Sequence, residues 1–89
     1  MGTEIIGAYT PYTCNISSEA QKSFEKIFEN FVGVKYSTVA VSTQTVAGYN
    51  YKFFCNATYI TNPVRTGAAI VSIYVSLDGV PHLTDIRDV

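Results

Sequence analysis

The sequence predicts an α+β domain in which one α-helix packs on an antiparallel sheet of four or five strands. Two observations predict this class. A single stretch with helical spacing of apolar residues comes early in the chain, and four stretches of β-rich sequence follow it. With 89 residues, the chain can build one hydrophobic core and not a second. We therefore expect a single domain that covers residues 1–89.

The predicted helix runs from Ser18 to Phe31. Its apolar residues share one face, and its charged residues occupy the other. The apolar set is Ala20, Phe24, Ile27, Phe28 and Phe31, and the charged set is Glu19, Lys22, Glu25, Lys26 and Glu29. Ser18 and Gln21 have the spacing of a capping box, and Gly33 marks the end of the helix. These features predict an amphipathic helix whose charged face lies in solvent.

The first two predicted strands follow the helix. One runs from about residue 35 to residue 43 and carries Val39 and Val41 on the same side. The other covers residues 49–60 and alternates between two faces. The face that we assign to the helix consists of Tyr51, Phe53, Cys55 and Ala57. This alternation predicts strands with one buried face and one solvated face.

The last two strands form a second predicted hairpin. Asn62-Pro63 and Gly67 interrupt the pattern before it. The apolar face of the third strand consists of Ala69, Val71, Ile73, Val75 and Leu77. Asp78-Gly79 then predicts a two-residue turn into a last strand at residues 80–87, where Pro81 suits a sheet edge.

The composition argues against nucleic-acid and membrane partners. Six Lys and Arg stand against seven Asp and Glu, and no basic cluster offers a surface to a phosphate backbone. No run approaches the roughly 20 apolar residues that cross a bilayer. The first residues lack the pattern of a signal peptide. We expect a cytoplasmic protein, or a secreted one if Met1-Gly2 replaces a leader.

The inventory of reactive side chains is small. His82 is the only histidine, and Cys14 and Cys55 are the only thiols. Their spacing matches no metal-binding pattern, and Cys55 falls on the apolar face of its strand. A disulfide between the two cysteines is possible but not favoured. We therefore expect no enzyme activity, no metal and no cofactor, with Cys55 as a small buried apolar residue.

The turn between the first two strands carries the most specific motif. Gln44-Thr45-Val46-Ala47-Gly48 has the form Q-x-V-x-G and continues into Tyr49-Asn50-Tyr51. Val46 and Ala47 put apolar side chains at a hairpin tip, where polar residues are usual, so the tip calls for a partner. Gly48 supplies backbone freedom at the exit of the turn. Gln44 can brace the loop by hydrogen bonding its backbone.

This motif, placed after a helix and one strand, resembles the cystatin/stefin family of cysteine protease inhibitors. The absence of a leader and of paired C-terminal cysteines is similar to the intracellular stefin branch. The resemblance extends from Gly7 to the last strand. It implies a cystatin-like fold, and it implies that three neighbouring elements enter the active-site cleft of a papain-like cysteine protease.

The resemblance assigns the three elements by position. They are the N-terminal residues Ile5, Ile6 and Gly7, the first loop Gln44, Thr45, Val46, Ala47 and Gly48, and the second loop Leu77 and Asp78. By analogy, Ile6 would fill the apolar S2 pocket. Inhibition would be reversible and competitive, by occlusion of the cleft. The second loop departs from the family, which has Pro-Trp or Leu-Pro where this chain has Leu77-Asp78-Gly79.

Other interpretations remain open. The first loop is an ordinary hairpin connection if the motif match is accidental. A cystatin-fold interaction module without protease inhibition is the alternative function, and the unusual second loop favours it. A hydrolase is poorly supported because no nucleophile and base lie close together in the sequence. We expect a monomer, although exchange of hairpins would allow a dimer.

Overall fold

The computed structural model of the protein describes residues 8–89. The described chain contains one helix followed by four strands. These are α1 (Ser18–Phe28), β1 (Val34–Val46), β2 (Gly48–Tyr59), β3 (Arg65–Val75) and β4 (Pro81–Asp88). The strands form one antiparallel sheet in the order β1-β2-β3-β4, so neighbours in sequence are neighbours in the sheet. The predicted α+β fold with one helix on an antiparallel sheet is confirmed, with four strands.

The helix begins at a different cap from the one predicted. Ser17 is the N-cap residue, and its hydroxyl accepts a hydrogen bond of 3.1 Å from the backbone N–H of Ala20. The predicted capping box at Ser18 and Gln21 is therefore wrong by one position. The Gln21 side chain instead donates to the Glu25 carboxylate and accepts from the hydroxyl of Thr38 in β1. This places the start of the helix against the edge strand.

The helix also ends earlier than predicted, at Phe28. The next backbone bond runs from the N–H of Phe31 to the carbonyl of Phe28, which is the tighter spacing common at helix ends. Phe31 keeps contact with the helix through its ring, whose centroid lies 4.4 Å from that of Phe28. With 11 residues, the helix of the described chain is too short to cross a bilayer.

The core lies between the helix and one face of the sheet. The predicted inward positions of β2 are all buried: Tyr51, Phe53, Cys55 and Ala57. From β3, four of the five predicted positions are buried: Ala69, Val71, Ile73 and Val75. The helix contributes Ala20 and Phe24, and the ring of Phe24 meets the ring of Phe53 edge-on at a centroid distance of 5.1 Å. Alternation along the strands is thus confirmed.

Val39 and Leu77 lie outside the core for local reasons. Val39 is exposed while Val41 is buried, because the ladder between β1 and β2 shifts register between Thr38 and Ala40. The extra residue of such a β-bulge reverses the alternation, so the expectation that both valines share a side is wrong. Leu77 is 83% exposed because β3 ends at Val75.

The turns differ in detail from the prediction. Gly67 lies within β3, paired with Ala57, and does not end a strand. The second hairpin has three loop residues rather than two, since Ser76 and Val80 close the ladder. Gly79 takes the left-handed conformation, with a φ of 87°, that a three-residue hairpin loop requires. The prediction of an edge strand that begins near Pro81 is confirmed.

Candidate functional site

The first hairpin ends in an apolar tip, defined here as Val46, Ala47 and Gly48. Val46 pairs with Gly48, so Ala47 alone separates β1 from β2. Val46 is 40% exposed, and Ala47 and the preceding Thr45 are exposed as well. The motif residues therefore form the end of a continuous two-stranded ladder. Their apolar side chains are accessible at that end.

Gly48 is required by its surroundings within the chain. Its φ of 108° is a conformation that residues with a side chain rarely adopt. A Cβ atom at this position would lie 2.2 Å from the carbonyl oxygen of Val75 and 3.2 Å from the Cα of Ser76. The close approach that this glycine permits is thus to the end of β3. Gly48 therefore allows the first tip to pack directly against the backbone of the second hairpin.

Two side-chain hydrogen bonds brace the first tip. The Nδ2 of Asn50 donates to the Oε1 of Gln44 across the ladder, at 2.8 Å. The side chain of Gln44 thus braces the strands by a side-chain bond to the neighbouring strand. From β3, the hydroxyl of Tyr74 donates to the carbonyl of Ala47 at 2.6 Å. The sequence motifs did not mark Tyr74 as a site residue. A large aromatic residue between Ser72 and Ser76 on the outer face of β3 is nevertheless a signal that could have indicated it.

The second tip, Leu77 to Gly79, presents one apolar side chain beside a carboxylate. Leu77 extends into solvent. The Asp78 carboxylate accepts a hydrogen bond from the hydroxyl of Ser76 and one of 3.4 Å from the N–H of Val80. The Ser76 bond, followed by the Val80 bond, lowers the pKa of Asp78 below its usual range. Asp78 therefore holds its own loop together as an ionised group.

The two tips lie side by side at one end of the sheet. The ladder between β2 and β3 reaches the pair Tyr49 and Val75, one residue from each tip. The contact of Gly48 with the backbone of Val75 and Ser76 continues that neighbourhood beyond the ladder. The two loops that the resemblance assigns to one site are thus neighbours in the structure. Tyr49, which is 46% exposed and follows Gly48 directly, adds an aromatic ring to the site.

The chain enters the sheet next to the first tip. Tyr9 and Thr13 form isolated antiparallel bridges with Gln44 and Val41 of β1. Between them, the N–H of Thr10 donates to the carbonyl of Thr43 at 2.8 Å, and the hydroxyl of Thr10 accepts from the N–H of Thr43 at 3.0 Å. A segment just before the helix therefore runs along the edge of β1 without becoming a fifth strand.

The ring of Tyr9 anchors this entering segment. The Nζ of Lys52 lies 4.3 Å from the centroid of the Tyr9 ring, within the range of a cation–π contact. Ile5, Ile6 and Gly7, which the resemblance assigns to the same site, lie outside the described residues. Near the start of the described residues, Tyr9 pairs with Gln44, the first residue of the motif.

The two thiols and the histidine lie in three different environments. Burial raises the pKa of the Cys55 thiol to about 12, so this group stays protonated at neutral pH. Cys14 is exposed and Cys55 is buried, and no disulfide joins them. His82 stacks on Tyr74 with ring centroids 6.2 Å apart. Within residues 8–89, no group of three or more His, Cys, Asp or Glu side chains is arranged to hold a metal ion.

No family model, curated protein or solved structure matches this chain. The feature that stands out is an end of the sheet where two braced turns expose Val46, Ala47 and Leu77 next to the entering N-terminal segment.

Proposed function

We propose that the protein is a reversible, competitive inhibitor of papain-like cysteine proteases. The observation that carries the proposal is the first tip. A Q-x-V-x-G motif, the most specific pattern in the sequence, forms an exposed apolar turn directly beside a second turn that exposes Leu77. The resemblance to the cystatin/stefin family supplies the class of target, and the cytoplasm is the proposed location.

The rigidity of the tips supports a role in binding. Gly48 is packed against the backbone of β3, and Tyr74 and Asn50 hold the neighbouring groups by hydrogen bonds. A surface that is already ordered loses little conformational entropy when it docks, so more of the contact energy appears as affinity. Protease–inhibitor pairs commonly change shape little on binding. The exposed Val46 and Leu77 then supply the apolar contacts.

The chemistry of the tips favours occlusion over reaction. Neither tip contains a thiol or histidine, and the carboxylate of Asp78 is engaged by Ser76 and Val80. The proposed inhibitor therefore fills the cleft by shape and apolar contact and forms no bond with the catalytic thiolate. In this proposal Ile5, Ile6 and Gly7 are the third contact, with Ile6 in the S2 pocket. Residues 9–13 pair with the edge of β1 beside the first tip, so the chain enters the sheet there.

Titration of papain with the full chain tests the proposal. We expect loss of activity at micromolar inhibitor that is relieved by substrate. Val46→Asp and Leu77→Asp should each weaken inhibition by about tenfold or more, since each would place a charge in an apolar contact. Val64→Asp is the matched control, because Val64 is 58% exposed and belongs to the connection between β2 and β3 at the other end of the sheet.

Two results would contradict the proposal. Full protease activity at a large excess of the chain would exclude inhibition of that enzyme. Equal weakening by Val46→Asp and Val64→Asp would show that the tips are not the contact. A partner other than a protease that is lost on Val46→Asp and kept on Val64→Asp would instead favour the interaction-module alternative, which the charged turn at Asp78 supports.

A further inference from the structure

The outer edge of β1 has two halves. The upper half, at residues 41–44, lies toward the first tip, and the lower half, at residues 34–38, lies toward the end of the helix. The upper half is covered, because Val41 exchanges backbone hydrogen bonds of 2.9 and 3.0 Å with Thr13 and Thr43 accepts from Thr10. Val41 thus directs its N–H and C=O groups outward, and alternation along the ladder gives Val34, Tyr36 and Thr38 the same outward direction below the bulge. No backbone group of residues 8–89 bonds to this lower half from outside the sheet.

The lower half of β1 has less of the usual protection of an edge strand than β4 has. The other outer edge of the sheet belongs to β4, which begins at Pro81 and carries Asp85, Arg87 and Asp88. Prolines and charges of this kind prevent a further strand from pairing. Between Val34 and Thr38 the only charged side chain is Lys35. One unpaired half-edge of this sheet is therefore open to strand addition.

An aromatic groove lies along the same half-edge, between α1 and β1. Its volume is about 890 Å³, and its walls include Phe24 and Phe28 of the helix, Phe31 and Val32 of the connection, and Tyr36 of the strand. Because β1 is the last strand on this side, no described element closes the groove laterally. Val32 is 90% exposed at its rim. The groove and the unpaired half-edge form one continuous surface.

We propose that two copies of the chain pair their lower β1 edges in antiparallel fashion about a twofold axis at Tyr36. Tyr36 then faces Tyr36 of the second copy, Lys35 faces Ser37, and Val34 faces Thr38. No like charges stand directly opposite each other, so the segment is compatible with its own copy. Each copy would extend the sheet of the other and place Val34, Tyr36 and Thr38 next to its groove.

A second copy fits this surface better than an unrelated peptide does, because it supplies both a strand for the unpaired edge and a cover for the groove. Each copy offers the unpaired backbone that the other lacks, and each groove is closed by the strand and rim of the other. The exposed Phe31 and Val32 become covered in both copies. The two tips remain free, since Val46 lies ten residues beyond Tyr36, about 33 Å along an extended strand.

Disulfide trapping tests the register directly. Lys35→Cys and Ser37→Cys are prepared separately, each with Cys14→Ser, and mixed under mild oxidation. Lys35 and Ser37 of opposite copies form a non-hydrogen-bonded pair with Cα atoms about 4.5 Å apart, within the reach of a disulfide. We expect a covalent heterodimer from the mixture and little covalent dimer from either variant alone. The control is Lys35→Cys mixed with Asp85→Cys, which lies on the protected β4 edge.

Sedimentation equilibrium of the unaltered chain provides the second measurement. The average mass should rise from 9.8 kDa toward twice that value with concentration and fall again on dilution. Val32→Glu should raise the dissociation constant at least about tenfold, because it puts a charge into the closed groove. Leu77→Glu, at the second tip, should leave it unchanged. Inhibition of papain does not enter either readout, so failure here is separate from failure of the proposed function.

Three outcomes would overturn the pairing. One is a chain that stays monomeric at all concentrations. Another is cross-linking to Asp85→Cys as efficient as to Ser37→Cys. The third is a dimer that persists on dilution and is unaffected by Val32→Glu, which would indicate exchange of hairpins between copies.

Discussion

The two ends of the sheet both expose apolar side chains, but they differ in how the backbone around them is held. At the tip end, the turns that carry Val46 and Leu77 are braced by hydrogen bonds and by the packing of Gly48. At the far end, Val32 stands beside a groove and a half-edge with unused backbone groups. A braced apolar turn is suited to enter a groove on another protein. An unpaired edge is suited to accept a strand.

The largest expected effect is the loss of stability when Gly48, the tightly packed glycine of the first tip, is replaced. Gly48→Ala should lower the free energy of unfolding by about 3 kcal/mol or more, because positive φ and a clash with the Val75 backbone act together. Gly33→Ala and Gly79→Ala are the controls. Both glycines have a φ of 87° and nothing within 4 Å of a Cβ, so each should cost only about 1–2 kcal/mol. Urea unfolding measures all three.

Equal losses in the three glycine variants would contradict the packing role of Gly48. The tip would then be held to β3 by hydrogen bonds alone. Its orientation relative to the second tip would be less strictly determined than the contact with Val75 implies.

A smaller effect is expected when the hydroxyls of two tyrosines at opposite ends of the sheet are removed. The Tyr74 hydroxyl donates to Ala47 in the first tip, and the Tyr59 hydroxyl donates to the Asp88 carboxylate at 2.8 Å near the far end. Tyr74→Phe should lower stability by at most about 1 kcal/mol, and Tyr59→Phe should lower it only slightly. Only Tyr74→Phe should weaken inhibition of papain, by a few fold, because only that bond orders a protease contact. Identical inhibition constants for the two variants would remove Tyr74 from the site.

The smallest expected effect is a change in the pKa of Asp78 in the second tip. Hydrogen bonds from Ser76 and Val80 lower the pKa of Asp78, so the ionised carboxylate stabilises the folded loop above the ordinary Asp pKa. That contribution is lost as pH falls through the lowered value. Ser76→Ala should move the pKa back toward the usual range, as carboxyl carbon shifts in an NMR titration would report. An unchanged pKa would mean that Ser76 does not brace the loop.

Much of the fold followed from local patterns. The alternation of Tyr51, Phe53 and Cys55 identified the buried face of β2, because successive side chains of a strand point to opposite sides. The same rule failed at Val39, since a β-bulge changes the alternation and leaves no mark in the residue pattern. The helix boundaries were off by a few residues at Phe28 and by one at the cap, where adjacent serines at 17 and 18 offer equivalent hydroxyls.

The candidate site was predictable where a motif marked it and not where it depends on contacts between distant residues. The first tip was found from Gln44 to Gly48 alone. The hydrogen bond from Tyr74 spans 27 residues of sequence, and the bridge from Tyr9 to Gln44 spans more. Such pairs depend on strand register, which no single segment specifies. The unpaired half of the β1 edge could be recognised only once residues 9–13 were seen to cover the other half.

The amino-acid sequence by itself determined the order of the elements, the apolar face of the helix and of the central strands, and an apolar turn at Val46 and Ala47. These are consequences of side-chain periodicity and local turn chemistry, which act over a few residues. Only the tertiary structure decided which turn touches which, why Gly48 tolerates no side chain, and which half of an edge strand is left open. Those properties depend on backbone atoms brought together by the whole sheet, and residue type does not encode them one position at a time.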